Sequence, residues 1–204
     1  MARRQAPTER AQRAAAMQRQ ARRQERRRAL LVWGSVALVV LLILGVVGYA
    51  IATRPSLSAV VEYDDPGRDH VAGAVEYEQD PPVGGDHNQA WWNCGIYTEP
   101  IPPHHAVHSL EHGAVWLTYQ PDIADEERQT LVDLADQEFM LLSPNETQTS
   151  PVIATAWGHQ LSVDSAEDER LALFISEYRQ GPQTPEPGAA CTGGTTTDLL
   201  SGSE

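Results

Sequence analysis

The chain has 204 residues, no lysine and a net charge of −13, and that charge averages two opposite parts. Residues 1–28 hold ten arginines against two glutamates, whereas residues 55–204 hold four arginines against 26 acidic residues. The acidic part repels polyanions, so a nucleic-acid partner is not expected, and the basic arm is left to meet anionic lipid.

In chain order, residues 1–28 are Arg-, Gln- and Ala-rich with no apolar stripe. They read as a basic cytoplasmic arm, either disordered or a helix continuous with the apolar segment after it. From Ala29 to Ala52 no residue is charged. Twenty-four helical residues reach about 36 Å, enough to cross a hydrocarbon core of about 30 Å. Trp33 and Tyr49 lie near its two ends, where amphipathic rings favour the interface. Ten arginines before the span and Arg54 after it predict a cytoplasmic N-terminus and an extracytoplasmic C-terminal domain. The competing reading is a cleaved signal peptide, for which Ala50-Ile51-Ala52 offers a small-x-small site. The apolar run is longer than the roughly 7–15 residues of a signal core, which favours an uncleaved anchor.

Residues 53–69, with Pro55, Pro66 and Gly67, read as a linker to a domain over 70–180. Val71 to Glu78 alternates loosely and predicts a short strand. Asp80-Pro81-Pro82-Val83-Gly84-Gly85-Asp86-His87 is a proline turn running into a glycine-rich loop, with the aromatic segment Trp91 to Tyr97 after it. Ala114 to Tyr119 is a continuous apolar run of β-formers, as expected of a strand buried on both faces. Asp122 to Asp136 predicts a helix with acidic residues in its first turn. Strands are expected over Glu138–Ser143, Val152–Trp157 and Gln160–Val163, with Met140 in the core and His159 in a surface turn. Ser165 is expected to cap a last helix ending near Tyr178, with Leu171, Phe174 and Ile175 on its buried face. The order β-α-β-β-β-α argues an α+β fold: a mixed sheet with two main helices packed on it, after one transmembrane helix. Residues 181–204 are Gly-, Pro- and Thr-rich and read as a mostly disordered tail tethered at Cys191.

The two cysteines, Cys94 and Cys191, both fall on the outer side, where disulfides persist. A bond between them would close a loop of about 97 residues and stabilise by up to about 4–5 kcal/mol. The alternative is a free Cys94 thiolate acting as nucleophile or metal ligand.

The densest chemistry is His104-His105-Ala106-Val107-His108-Ser109-Leu110-Glu111-His112-Gly113, with four of the seven histidines. Pro103 suits a first helical position and Gly113 a C-terminal stop. On such a helix His108 and His112, at i and i+4, share one face beside Glu111. Imidazoles suit zinc and copper, and His87 in its glycine-rich loop is the best remote third ligand. Trp91, Trp92 and Trp116 are candidate walls. His104 and His105, next to the prolines, read as exposed or auxiliary.

The motifs Pro81-Pro82-x-Gly-Gly-x-His87, Trp92-x-Cys94-Gly-x-Tyr97, Val107-His-Ser-Leu-Glu-His-Gly113, Ala156-Trp157-Gly158 and Pro185-Glu-x-Gly-Ala-x-Cys191 occur in this order. Through them, residues 68–193 resemble the bacterial domain-of-unknown-function family 3105. The resemblance implies a single-span membrane or exported protein and a candidate site, but no activity. Where that family has Gly-Pro-His, this chain has Gly85-Asp86-His87.

The leading expectation is therefore an anchored extracytoplasmic domain binding copper or zinc through His87, His108 and His112. Glu111 would be a fourth ligand or would orient an imidazole. The alternatives are a non-catalytic envelope scaffold with structural histidines, and a metal-dependent hydrolase with Glu111 as base.

Overall fold

The computed structural model describes residues 9–52, 54–64 and 66–198. It divides into two units, Met1–Arg54 and Pro55–Glu204. In the first, α1 (Glu9–Ala52) is one unbroken helix of 44 residues, so the arm from Glu9 onward continues the apolar span rather than being disordered. Residues 1–8 of the arm lie outside the described residues. Leu38 to Leu44 and both terminal aromatics, Trp33 and Tyr49, are exposed. A helix this long and apolar can cross a membrane, although a signal sequence has the same properties.

The second unit holds six strands: β1 (Val61–Glu62), β2 (Gly95–Ile96), β3 (Val115–Tyr119), β4 (Met140–Pro144), β5 (Val152–Ala156) and β6 (His159–Val163). They form one mixed sheet in the order β1-β6-β5-β3-β4-β2. Central β3 is parallel to β4 and antiparallel to β5, and α3 (Asp125–Ala135) is the crossover that parallel pairing requires. All five residues of β3 are buried, as its unbroken apolar run predicts. The α+β architecture matches the pattern read from the sequence.

Alternation along the strands makes two cores. Val115, Leu117 and Tyr119 of β3 and Met140 and Leu142 of β4 face Leu131 of α3 and Leu171, Phe174 and Ile175 of α4 (Glu169–Tyr178). Their neighbours Trp116 and Leu141 point the other way, onto Ala106, Val107 and Leu110 of α2 (Pro103–Glu111). The histidine-rich helix α2 therefore lies on the opposite sheet face from the two main helices.

Several local expectations are corrected. Val71–Glu78 forms no strand; only His70 bridges, to His87. Ala72, Gly73 and Ala74 are exposed and offer little side chain to pack. Part of the expected linker instead supplies edge strand β1, on β6. Helix α4 starts at Glu169 with Asp168 as cap, whose Oδ1 accepts the Arg170 N–H at 2.9 Å. The Ser165 hydroxyl accepts only from Glu167 N, two residues on, which closes a turn rather than a helix end. Described tail residues 181–198 touch the domain at many points, where composition had suggested one. Glu186 N–H donates to Glu111 O and Thr195 N–H to Trp91 O, and Cys191 O accepts Cys94 N–H, so the tail backbone finds its partners on α2 and the Trp loop.

Candidate metal centre

Pro102 and Pro103 open α2, and Gly113 closes it at φ +95°. Every residue from His104 to Glu111 is buried. A helix buried on all sides must find partners for its polar side chains or leave them desolvated. The reading of His104 and His105 as exposed is thus corrected. The prolines start a helix, and the Asn88–Trp92 loop covers it: Asn88 N–H donates to His104 O and Trp92 N–H to His105 O.

The imidazoles share one rule. Nδ1 of His87 lies 2.7 Å from Gly85 O, Nδ1 of His108 lies 2.8 Å from Asn88 O, and Nδ1 of His112 lies 2.7 Å from Ala190 O. A carbonyl oxygen only accepts, so each Nδ1 carries a proton, and in the neutral imidazole it is Nε2 that presents the lone pair. This is the arrangement in which a metal-ligating histidine is oriented by its surroundings. Gly85 sits at φ +113°, and a Cβ there would meet Pro66 O at 3.3 Å and the Tyr77 ring. Asp86, in place of proline, ties the loop down: its Oδ1 accepts Asp69 N–H at 3.1 Å and its carbonyl accepts the Tyr77 hydroxyl at 2.8 Å.

That tie brings in a residue missed in the sequence. Asp69 O accepts His87 N–H and His87 O accepts Val71 N–H, so His70 is clamped beside His87. One ligand atom from each of His70, His87, His108 and Glu111 lies within 4.8 Å of the others. Glu111 Oε2 stands 3.0 Å from His87 Nε2 and 3.7 Å from His70 Nε2. Despite the 3.0 Å separation, neither His87 Nε2 nor Glu111 Oε2 makes a hydrogen bond, and both are fully buried. With the His87 imidazole neutral, two acceptors face each other, an arrangement that costs free energy unless a cation, a metal ion or a proton on Nε2, lies between them. Of the predicted ligands, His87, His108 and Glu111 come together. His112 lies beside them in a second group with His108 and Glu186, its Nε2 3.5 Å from Glu186 Oε2. Glu111 belongs to the first group, with His70, His87 and His108, and not to the second.

Burial, aided by the neighbouring imidazoles His112, His87 and His70, pushes the His108 pKa down to about 3 despite its bond to Asn88 O. Its lone pair is therefore free of proton competition at neutral pH. Trp91 packs 5.1 Å from His112 and 5.9 Å from His108, and Trp157 stands 6.0 Å from His87. Trp91 is thus a wall as expected. Trp92 instead packs on His105 and Tyr97, and Trp116 donates to Ser143 Oγ. His104 and His105 form a separate group with Asp198. His159 is half-buried, bonded to Trp157 O and packed on Tyr178. Cys94 and Cys191 stand at disulfide distance, Cα to Cα 5.4 Å, beside the tail segment that holds His112.

No curated protein and no solved structure matches the chain. A family described as Inhibitor of host cell division protein domain matches residues 2–64, less than a third of the chain, over the arm and the apolar helix. A family described as Protein of unknown function (DUF3105) matches residues 70–193, a span that holds His70, His87, α2, Glu186 and both cysteines. By that match over more than half its length, the chain belongs to the DUF3105 family.

Proposed function

We propose that this protein is a membrane-anchored, extracytoplasmic domain that binds one transition-metal ion, copper or zinc. His87, His108 and Glu111 are the core ligands and His70 is the fourth; His112 supports from the adjacent turn. The observation that carries the proposal is the buried, unbonded pair of His87 Nε2 and Glu111 Oε2 facing each other at 3.0 Å. Three imidazoles and a carboxylate suit zinc or copper(II) and do not suit magnesium or calcium, which take oxygen ligands. The outward placement rests on the arginine asymmetry across α1, and the site's role is metal handling or sensing at the cell surface.

The test is metal analysis of the untagged full chain in detergent, with melting monitored as zinc or copper is added. A ligand that binds only the folded state raises stability by about 2.7 kcal/mol at one hundred times its Kd. His70 is half-exposed, so His70→Ala should leave metal-free stability within about 0.5 kcal/mol while weakening the metal-induced shift. No bound metal, and no change in melting temperature with either ion, would leave the histidines with a structural role as carbonyl-bonded props for the loops over α2.

A further inference from the structure

The two ligand groups on α2 overlap at a single residue. His70, His87, His108 and Glu111 form the inner group; His108, His112 and Glu186 form the outer. Nδ1 of His108 is committed to Asn88 O at 2.8 Å, so His108 offers one lone pair, on Nε2, to both groups. Its ring lies between those of His87 and His112, with centroids 4.8 and 4.5 Å away. Trp91, against both His108 and His112, walls the outer group.

The two groups differ in access and in ligand strength. Glu111 is buried, at 3 % side-chain exposure, whereas Glu186 is 48 % exposed on the tail. The inner group has four donors, one a desolvated carboxylate, and the outer has three, one a hydrated carboxylate. With an ion bound, the inner position would be the tighter of the two.

We propose that the two groups are alternative positions for one metal ion: His112 and Glu186 form an uptake position from which His108 passes the ion to the inner site. The proposal rests on the metal reading above and adds a path and a stoichiometry to it. In the transfer the His108 Nε2–metal bond is kept. The bonds to His112 and Glu186 break and a water bound to the ion in the three-donor outer position leaves as the bonds to His70, His87 and Glu111 form, with no change of oxidation state and no proton required. One carboxylate replaces another, so the charge on the centre is also unchanged.

The experiment uses the full chain in detergent with zinc as the probe. Equilibrium dialysis should give one zinc per chain. His87→Ala should still bind one zinc, weaker by about 10–100-fold, because the outer group remains. His87→Ala combined with Glu186→Gln should lose binding. Glu186→Gln alone changes an exposed side chain, so it should fold as the parent does. It should keep one zinc at nearly unchanged affinity while slowing uptake and chelator-driven release by the same factor. Two zinc ions per chain would overturn the shared-ion proposal and leave the metal reading standing. So would unchanged exchange rates in Glu186→Gln, or a folded His87→Ala, checked by its circular dichroism, that binds nothing. No zinc on the parent chain overturns both.

Discussion

Replacing Glu111 by glutamine separates a metal site from a structural network. Glu111 Oε2 and His87 Nε2 are buried without hydrogen bonds, 3.0 Å apart, and both are acceptors when the imidazole is neutral. Glutamine has the same shape but carries an NH2 group, which can donate to the His87 lone pair across that distance. Each buried polar group left unpaired costs about 1–3 kcal/mol, and one new bond satisfies two of them. Without metal, Glu111→Gln should therefore be more stable than the parent by about 1–3 kcal/mol, at roughly 2–4 °C per kcal/mol for a domain of this size. With saturating zinc the order should reverse, because the amide loses the anionic ligand. The assay is thermal melting by near-ultraviolet circular dichroism at pH 7.5, once with a chelator and once with zinc in excess. A metal-free variant no more stable than the parent would refute the claim that the two acceptors are opposed. A zinc-induced shift equal to that of the parent would refute the ligand role of Glu111.

The remaining predictions concern pH and the tail. The native pKa of His108 is about 3 against about 6.5 unfolded, so below pH 6.5 the unfolded state binds more protons and stability falls with acidification. This contribution is complete above pH 6.5 and declines by about 1.4 kcal/mol per pH unit down to about 3. His105, also lowered by burial, acts in the same direction. His108→Gln should show a shallower loss of stability between pH 6.5 and 4 in chelator, and an equal slope would refute the assignment. For the cysteines, non-reduced denatured protein should show no free thiol. Cys94→Ser with Cys191→Ser should cost about 2–5 kcal/mol, and two thiols in the parent chain would contradict the bond.

Local order was legible because it is written in periodicity and end signals. The uncharged run of α1, the apolar run of β3 and the stripe of α4 each declare their element without reference to the rest of the chain. Pro103 and Gly113 bracket α2 at the predicted ends, and they set His108 and Glu111 on a buried helix. His87 was recognisable from its glycine-rich loop, and Cys94 with Cys191 as the only pair the chain contains.

The tertiary structure alone supplied the partners. A lone histidine at the end of a linker has no spacing relation to α2, and His70 joins the site only through the backbone bonds of Asp69 and Val71 to His87. Three prolines before His104 suggest exposure, yet the Asn88–Trp92 loop and the tail close over the helix they start. The tail has no periodicity to read, and its order comes from bonds to groups more than 70 residues away, such as His112 Nδ1 to Ala190 O. Sequence by itself determined which side chains α2 presents and that α1 is apolar throughout its second half. Only the fold decided which acceptors meet in the buried space beside α2, because contacts between distant segments depend on how whole elements pack and leave no local pattern to read.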